Sequence, residues 1–514
     1  MAIRYGNARI TYRDLQEQTL KTATVLARLG ISPGERVALL LNDSPEFIAT
    51  FIAICSSKAI AVPINMGLRL EEQCAILNDC TARLAIVEPD MCNTLQTGVH
   101  EGLRDLEQIA VVSRRRDSFG SETSPIPGDD GPEIFDFQQL LLECPAAAPD
   151  SFAEPGENEA ALILYTSGST GEPKGAIHSQ NDIFYTNETF CNEVLGLRSG
   201  DRIFSSSRLP FAYGLGNSFT FPLLNGVTTI LCREKPTPEV INRIFRVYKP
   251  TIFFAVPVIY NLLLENHRKG TELDCSSLRL CVSAGEALPA RLGEEWERTF
   301  GIEVLDGIGS TEMLHMFMSN HSGDVRYGSS GKLLKGYEAR LVDQEGGPTP
   351  DTEVGNLWVK GRSAARGYWQ KEEATNGTFV DGWVRTGDLY MRDAEGFWFH
   401  KGRSDDCFKS SGQWVSPVEV EEAVLRHQSV RRAAVVEDFD KDGLPCACAF
   451  VVCSEGNSDQ VEAELSALLK ESLPRFKQPR RYVFVDELPY TATGKIQRFK
   501  LRQQLRTQTA AGHR

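Results

Sequence analysis

Residues 165–175 of this chain read Tyr165-Thr166-Ser167-Gly168-Ser169-Thr170-Gly171-Glu172-Pro173-Lys174-Gly175, directly after the apolar run Leu162-Ile163-Leu164. Glycines in such a loop let backbone N–H groups turn toward an anion, hydroxyl side chains add donors, and the lysine adds positive charge. The common nucleoside-triphosphate loop instead requires Gly-Lys-Ser/Thr running into a helix. Here an apolar segment follows Lys174-Gly175, so the sequence predicts a strand-loop-strand hairpin that grips a polyphosphate. A Ser/Gly-rich surface linker is the alternative, but linkers rarely follow an apolar strand directly and end in a lysine.

The overall composition is that of an ordinary globular protein. The chain of 514 residues is too long for one core, which predicts two or three domains. It is 41% hydrophobic and 24% charged, and it has no apolar run near the length of about eighteen residues that a membrane span needs. The net charge of −14 argues against a nucleic-acid or anionic-membrane partner. Thirteen cysteines without metal-binding spacing, and no apolar signal segment after Met1, favour a cytoplasmic protein.

Strand and helix patterns alternate along the first part of the chain and predict an α/β fold. After about Pro350 the segments become short and rich in tryptophan, which predicts a compact β-rich subdomain. From Asp405 the pattern changes again, to that of a small α+β domain. The predicted division is a large domain over 1–404, a C-terminal domain over 405–506 and a disordered polar tail over 507–514.

Four further motifs follow the predicted hairpin in a fixed order. They are Ile308-Gly309-Ser310-Thr311-Glu312, Arg385-Thr386-Gly387-Asp388, Gly402-Arg403-Ser404-Asp405-Asp406 with Lys409-Ser410-Ser411-Gly412, and Thr493-Gly494-Lys495. In this order the motifs resemble the adenylate-forming superfamily of acyl-CoA synthetases, peptide-synthetase adenylation domains and luciferases. The resemblance implies a multi-subdomain N-terminal domain that binds ATP and a carboxylic acid, and a small C-terminal domain that acts as a mobile lid.

The resemblance implies an ATP site built from several motifs. Glu312 is the implied Mg²⁺ ligand and Thr311 the implied contact of the α-phosphate, since a carboxylate at the end of a core strand can hold Mg²⁺ against ATP phosphates. A helix cap is the alternative role for these two residues. Asp306, which we expect in a turn with Gly307, and Ile308 are implied to lie near the adenine. The phosphate contacts are implied to come from the hairpin residues Thr166, Ser167, Gly168, Ser169, Thr170, Gly171 and Lys174.

Two further residues are implied to hold the ribose. Asp388 resembles the residue whose carboxylate accepts both ribose hydroxyls, and Arg403 is expected to assist it. Taken alone, each residue is as well explained as a turn residue or as a member of a surface ion pair.

The predicted lid carries its own set of implied roles. Lys495 is implied to serve the adenylation half-reaction, because a lysine on a lid stabilises charge only when the lid is closed; a solvated surface lysine is the alternative. Asp405 resembles the hinge of the lid. Lys409, Gly412 and Trp414 resemble the face used for thioester formation, where a glycine lets a pantetheine arm pass close to the backbone.

A narrower resemblance, to the benzoate-CoA ligase branch, concerns the acid pocket. Small residues would leave a flat slot, a tyrosine offers a ring face and a hydroxyl, and a histidine can orient an acid. Methionine at 316, where benzoate enzymes usually carry a branched aliphatic residue, leaves room for a larger acid. The residues implied to line this pocket are Phe211, Ala212, Tyr213, Gly285, Gly309, His315 and Met316. Simple core packing is the alternative for the aromatic residues.

The function implied by these motifs is a two-step ligase. A carboxylate and ATP give acyl-AMP and pyrophosphate, and the thiol of CoA then displaces AMP, with Mg²⁺ as the metal. One alternative passes the acyl group to the phosphopantetheine of a carrier protein. Another is a paralogue that performs one half-reaction or only binds the adenylate. The sequence does not decide between a monomer and a homodimer.

Overall fold

The structure is a computed structural model. It describes residues 1–100, 102–113, 131–148, 152, 154, 156, 159–167, 172–343, 345–440, 443–453, 458–490 and 496–511.

The strands fall along the whole chain. In chain order they are β1 (Ile3–Tyr5), β2 (Ala8–Ile10), β3 (Arg36–Leu40), β4 (Ile60–Pro63), β5 (Leu84–Val87), β6 (Gln108–Val111), β7 (Glu133–Asp136), β8 (Ala160–Ser167), β9 (Pro173–Ser179), β10 (Arg202–Ser205), β11 (Thr228–Leu231), β12 (Ile252–Ala255), β13 (Leu280–Ser283), β14 (Val304–Gly309), β15 (Met316–Ser319), β16 (Lys332–Leu333), β17 (Glu338–Val342), β18 (Gly355–Lys360), β19 (Phe379–Val380), β20 (Trp383–Arg392), β21 (Trp398–Arg403), β22 (Phe408–Ser410), β23 (Gln413–Val415), β24 (Val430–Phe439), β25 (Pro445–Cys453) and β26 (Arg481–Phe484).

The helices alternate with the strands up to β14. In chain order they are α1 (Tyr12–Arg28), α2 (Pro45–Ser56), α3 (Leu70–Asp79), α4 (Pro89–His100), α5 (Phe137–Glu143), α6 (Gln180–Thr186), α7 (Ala212–Leu215), α8 (Phe221–Leu224), α9 (Pro238–Tyr248), α10 (Pro257–Arg268), α11 (Ala290–Phe300), α12 (Glu372–Thr378), α13 (Pro417–Val424), α14 (Ser458–Ser472) and α15 (Arg498–Ala511). Two π-helical segments, Asn187–Leu195 and Gly216–Thr220, follow α6 and α7, and a 3₁₀ turn spans Arg475–Lys477.

The first helices begin where their capping residues place them. The Asp14 backbone N–H donates to Thr11 Oγ1 at 3.2 Å, and the Thr11 N–H donates to the Asp14 carboxylate at 2.8 Å, which forms a capping box at the start of α1. Ser44 accepts the Phe47 N–H at 3.2 Å, and Pro45 occupies the first turn of α2.

Two large sheets form the N-terminal part. The seven-stranded sheet has the order β7-β6-β5-β3-β4-β8-β9, and only the edge strand β9 runs antiparallel to its neighbour. The nine-stranded sheet has the order β16-β15-β14-β13-β12-β10-β11-β1-β2 and is parallel from β14 to β1. Leu39, Leu162 and Leu231 belong to one buried cluster with residues of α1 and α2, so the two sheets share a core. The predicted α/β class is confirmed.

Two smaller sheets follow. The order β17-β18-β20-β19, with β21 beside β20, forms the predicted β-rich subdomain, which begins at Glu338 and not near Pro350. In the C-terminal part β24, β25 and β26 form a three-stranded sheet flanked by α13, α14 and α15, and β22 and β23 form a separate hairpin. Among the described helices, we find none with the length and apolar character to cross a bilayer.

The expected turn at Asp306-Gly307 was wrong. Both residues lie inside β14, where Gly307 is paired with Ser319 of β15. A Cβ on Gly307 would overlap the Met316 methyl group, so this glycine permits close packing between strands and does not form a turn.

The disorder expected for residues 507–514 stays a prediction, and its expected start falls inside helix α15. Helix α15 continues through Ala511, and Leu501 and Leu505 are buried in a cluster with residues of β24 and β25. These two leucines are four residues apart and therefore lie on one helix face, which packs the helix against the C-terminal sheet. Residues 512–514 lie outside the described residues.

Candidate active site

Two of the segments that carry motifs lie at one edge of the nine-stranded sheet. The parallel strands β12, β13 and β14 end at this edge, so Gly285 follows the end of β13 and Ser310–Glu312 follows the end of β14. Ligands of open α/β sheets bind outside the carboxyl ends of parallel strands. The topology therefore places two of the motifs where a ligand is expected.

The predicted strand-loop-strand hairpin is present and is called the phosphate hairpin below, comprising β8, β9 and the residues between them. Thr166 lies opposite Lys174, and Ser167 opposite Pro173, so these residues form the last strand pairs before the loop. A Cβ on Gly175 would lie 2.6 Å from Ile163 Cγ2, which explains the glycine after the lysine. Gly168, Ser169, Thr170 and Gly171 lie outside the described residues, and their contacts with phosphate stay predictions.

Residues 365–369 connect the phosphate hairpin to the Glu312 segment through the backbone. The Trp369 N–H donates to the Gly175 carbonyl at 2.7 Å, and the Ile177 N–H donates to the Gly367 carbonyl at 3.1 Å. The Ala365 N–H donates to the Glu312 carbonyl at 2.7 Å. Positions of β9 and of Glu312 are therefore fixed relative to each other.

The side chain of Tyr368 joins the same two parts of the site. Its hydroxyl donates to Glu312 Oε1 at 2.7 Å, and Lys174 Nζ lies 5.6 Å from the centre of its ring. Burial raises the pKa of Tyr368, and the negative charge of Glu312 raises it further, so the hydroxyl stays a proton donor. The structure thus brings Lys174 and Glu312, both singled out from the sequence, into contact with one tyrosine side chain.

A second connection runs through His178 of β9. Its Nε2 lies 2.8 Å from the Thr311 carbonyl oxygen, and its Nδ1 lies 3.0 Å from Asp182 Oδ2. The Ser179 N–H and hydroxyl donate to the same Asp182 carboxylate. All of these side chains are buried, so the Thr311 backbone rests on a fixed polar network.

Asp388 and Arg403 are also brought together. They are directly opposite in the β20–β21 pair, with Arg403 Nη1 3.4 Å and His400 Nε2 3.5 Å from Asp388 Oδ1. Desolvation is the largest single influence on the Arg403 guanidinium and lowers its pKa, but the charges of Asp388, Asp405 and Glu312 together raise it above its ordinary value. Carboxylates from three motifs therefore surround one cation.

His315 stands at the centre of the predicted acid pocket. Its ring lies 5.7 Å from that of Tyr213, 4.8 Å from that of Phe190 and 4.6 Å from that of Phe221. Its Nε2 lies 3.1 Å from Asn217 Oδ1. Desolvation lowers the pKa of His315 to about 3, so the imidazole is neutral at physiological pH.

Two buried polar atoms in this cluster lack a partner. His315 Nδ1 and Asn217 Nδ2 make no hydrogen bond with the described part of the chain. Such groups cost free energy unless something pairs with them. Both are suited to contact a polar ligand.

The other predicted pocket residues surround this cluster to different degrees. Gly309 is paired with Met316 across β14 and β15, and a Cβ on Gly309 would overlap the His315 carbonyl. Phe211 and Ala212 begin α7, directly before Tyr213, and are half-buried. Gly285 has φ +94°, which favours glycine, and its nearest neighbour on a Cβ would be Val256. Ile308, predicted near adenine, is half-buried and packs against the core.

Asp306 is buried below the loop that contains Gly285. Its Oδ2 accepts the Leu288 N–H at 3.2 Å, while Oδ1 has no partner among the described residues. Burial raises the pKa of Asp306 to about 8. Asp306 therefore holds the loop after β13 in place, and its place near the adenine stays a prediction.

Replacement of Asp306 by asparagine is expected to change how stability depends on pH. The folded protein keeps a proton on Asp306 up to about pH 8, whereas the unfolded chain loses it near pH 3.8, so unfolding releases a proton between these values. Raising the pH through this window therefore destabilises the wild-type protein through Asp306, on the order of 1.4 kcal/mol per pH unit. Urea unfolding at pH 5 and pH 8 should show Asp306→Asn gaining stability relative to wild type as the pH rises. The exposed Asp381→Asn is the control; a gain for Asp306→Asn that is the same at both pH values would contradict the expectation.

The predicted hinge lies between two anchored neighbours. Ser404 is bonded to the Gly387 carbonyl of the β-rich subdomain, by its N–H at 2.9 Å and its hydroxyl at 3.1 Å. Asp406 accepts Arg502 Nη2 of α15 at 2.6 Å and lies 3.5 Å from Arg498. Asp405 itself is exposed. It thus lies between a residue bonded to the N-terminal part and a residue bonded to α15.

The predicted thioester face is the β22–β23 hairpin. Lys409 Nζ lies 5.1 Å from the ring of Trp414, which is 48% exposed. Ser411 and Gly412 form the turn with φ +51° and +78°, a pair typical of a two-residue hairpin turn. This hairpin packs against β25 and the 3₁₀ turn Arg475–Lys477.

Another part of the C-terminal domain does reach the site edge. The Ile496 N–H donates to Glu286 Oε1, in the loop after β13, at 3.1 Å. Lys495 lies outside the described residues and its role stays a prediction, but its chain neighbour is held at this edge.

Two protein-family models match this chain. The AMP-binding enzyme model matches residues 1–369, and the AMP-binding enzyme C-terminal domain model matches residues 419–495. The chain belongs to the AMP-binding enzyme family.

Several individual proteins are similar to this chain over nearly its whole length. The chain is 39% identical to a benzoate–CoA ligase of Thauera aromatica, over 96% of this chain and 90% of that protein. It is 36% identical to an anthranilate–CoA ligase of Pseudomonas aeruginosa, over 94% and 89%. Among solved structures, an anthranilate CoA ligase in complex with anthranoyl-AMP matches with a TM-score of 0.91 and 37% identity, over 99% of this chain and 95% of that one. A benzoate CoA ligase from Burkholderia xenovorans LB400 matches with a TM-score of 0.86 and 37% identity, over 98% and 96%.

Proposed function

We propose that this protein is an AMP-forming ligase that activates an aryl carboxylic acid with ATP and transfers the acyl group to CoA. The observation that carries the proposal is the convergence of Lys174, Glu312 and Asp388 at the edge beside the aromatic cluster around His315. The similarity to benzoate–CoA and anthranilate–CoA ligases supports an aryl acid and CoA as substrates.

In the first half-reaction a carboxylate oxygen of the acid attacks the α-phosphorus of ATP. The bond from this phosphorus to the bridging oxygen breaks, and pyrophosphate leaves with the electron pair. We assign binding of the phosphates to the phosphate hairpin with Lys174, and the ribose hydroxyls to Asp388 and Arg403. His315, neutral and buried, can orient the acid but carries no charge to pair with it.

The residues around Glu312 fit Mg²⁺. The Tyr368 hydroxyl donates to Oε1, and among the described residues we find no hydrogen bond to Oε2, so one anionic oxygen stays available for a cation. Mg²⁺ bound with ATP is usually held by one or two carboxylates and the phosphates. When bound here, Mg²⁺ would neutralise the negative charge that develops on the phosphates.

In the second half-reaction the sulfur of CoA attacks the acyl carbon. The bond from that carbon to the AMP oxygen breaks, AMP leaves, and the thiol proton goes to solvent. We assign the pantetheine path to the face with Lys409, Gly412 and Trp414, which requires the C-terminal domain to rotate about Asp405.

We place the domain boundary at Asp405 and the ligase in the cytoplasm. The thirteen free cysteines are consistent with a reducing compartment.

The proposal is tested by assaying the two half-reactions separately on a panel of acids. Benzoate, hydroxybenzoates, anthranilate and an aliphatic control are each tested for pyrophosphate release without CoA, and for thioester formation with CoA or with a carrier protein. We expect aryl acids to release pyrophosphate and to form CoA thioesters. Pyrophosphate release without any CoA thioester would reject the ligase in favour of adenylation alone or of a carrier-protein acceptor.

Ala212→Phe is expected to exclude bulky acids and to leave ATP binding unchanged. Ala212 begins α7 beside Tyr213, whereas the phosphate hairpin lies on the other sheet. Misfit should cost a flat aromatic acid roughly 1–3 kcal/mol, the usual range for overpacking. The measurement is kcat/KM over the acid panel, with Ala27→Phe on the exposed face of α1 as control. An unaltered profile for Ala212→Phe would place the acid elsewhere.

A further inference from the structure

Three parts of the candidate site converge on Tyr368. Its backbone segment is hydrogen-bonded to β9 of the phosphate hairpin on one side and, through Ala365, to the Glu312 carbonyl. Its hydroxyl donates to Glu312 Oε1 at 2.7 Å, and its ring faces Lys174 Nζ at 5.6 Å. The side chain is only 7% exposed.

We propose that Tyr368 is a positioning residue for the Mg²⁺·ATP complex, which holds the Glu312 carboxylate in its metal-binding orientation and keeps it in register with Lys174. The proposal rests on the proposed function, because it assigns Mg²⁺ to Glu312. It adds a residue outside the five motifs that the sequence singled out.

The hydrogen bond from the Tyr368 hydroxyl to Oε1 restricts rotation of the Glu312 carboxylate. Because the hydroxyl engages Oε1 alone, Oε2 stays available as an anionic ligand. Partners that orient a metal ligand in this way typically contribute 10- to 100-fold in metal affinity.

The backbone links this restraint to the phosphate hairpin. Gly175, bonded to Trp369, follows Lys174 directly, so any displacement of the hairpin would also displace Tyr368. The ring contributes an electrostatic attraction to the Lys174 ammonium group. The Tyr368 side chain therefore links the anionic Glu312 to the cationic Lys174.

A role of Tyr368 in packing alone predicts a different result when this residue is replaced by phenylalanine. The Tyr368 ring packs with Ala176, Ala365 and Phe379, whose ring centre is 5.5 Å away. Phenylalanine would preserve this packing and the contact with Lys174, and would remove only the hydroxyl. Tyr368→Phe thus separates positioning of Glu312 from packing.

The experiment compares Tyr368→Phe with wild type in binding and in catalysis. Calorimetry measures the Kd of ATP with Mg²⁺ and of ATP in EDTA, and pyrophosphate release is measured against Mg²⁺ concentration. We expect a Mg²⁺ requirement roughly 10- to 100-fold higher, a kcat that recovers at saturating Mg²⁺, and unchanged binding of metal-free ATP. Thioester formation from supplied acyl-AMP should also be unchanged.

Tyr327→Phe is the matched control, because the Tyr327 hydroxyl donates to the Glu297 carboxylate at 2.8 Å away from these motifs. A normal Mg²⁺ requirement in Tyr368→Phe, an equal loss of metal-free ATP binding, or the same effect in Tyr327→Phe would each overturn the proposal. Absence of acyl-AMP formation by wild type would reject the proposed function instead, and the calorimetric comparison would still decide the role of Tyr368.

Discussion

Replacement of Lys495 by alanine is expected to lower the rate of acyl-AMP formation by roughly 10²- to 10³-fold, the effect of removing one preorganised charge donor. Thioester formation from supplied acyl-AMP should stay close to the wild-type rate. The reason is that a lysine on the C-terminal domain can reach the reacting phosphate in only one orientation of that domain. The two rates are measured as pyrophosphate release without CoA and as CoA-thioester formation from synthetic acyl-AMP.

Contacts of the C-terminal domain agree with a role of Lys495 in adenylation but not in thioester formation. The N–H of Ile496, the next residue after Lys495, is bonded to Glu286 at the edge where Glu312 lies. In the same structure the β22–β23 hairpin packs against β25 and the 3₁₀ turn Arg475–Lys477 of the same domain. We therefore expect adenylation in the orientation seen here and transfer to CoA in a different one.

Lys470→Ala is the matched control for Lys495→Ala, since Lys470 is an exposed lysine of α14 in the same domain. It should leave both half-reactions unchanged. Equal losses of adenylation and of thioester formation in Lys495→Ala would remove the proposed role, because a lysine that acts in a single orientation cannot affect both steps alike.

The fold was largely predictable because its signals are local. Alternating apolar strands and capped helices are specified within about ten residues, as the Thr11-Asp14 capping box and the Ser44-Pro45 helix start illustrate. The failures came from tertiary packing. Gly307 was assigned to a turn, but its role is to let β14 approach β15, and nothing nearby in the sequence records that contact.

The candidate site was predictable only where a motif marks it. Tyr368 lies 56 positions from Glu312, and His178 lies 133 positions from Thr311, so neither pairing leaves a local pattern. Burial raises the pKa of Asp306 and lowers that of His315. Their burial likewise depends on the packed core. Motifs thus predicted the residues that would meet the substrate, and the structure adds neighbours that hold some of them in place.

Replacement of Gly412 by leucine should have the opposite effect to Lys495→Ala. A leucine side chain on the exposed β22–β23 turn is expected to block the pantetheine path and slow CoA transfer by roughly 10²-fold, the scale of misplacing a reacting group. Adenylation should be unaffected, because Gly412 is exposed on a hairpin separate from the phosphate hairpin and from the Glu312 segment. A Cβ at Gly412 meets no atom within 4 Å, so the substitution creates no clash in this structure.

Backbone strain is the competing explanation, and the chain contains a matched control for it. Gly412 has φ +78° after Ser411 at +51°, and Gly382 has φ +78° after Asp381 at +52°, in the turn between β19 and β20. Leucine costs roughly 1–2 kcal/mol in this left-handed conformation at either position. Both variants should therefore lose similar stability in urea unfolding, while only Gly412→Leu loses CoA transfer. If Gly412→Leu transfers normally, or if Gly382→Leu is equally slow, Gly412 is needed for its turn and the thioester face lies elsewhere on the C-terminal domain.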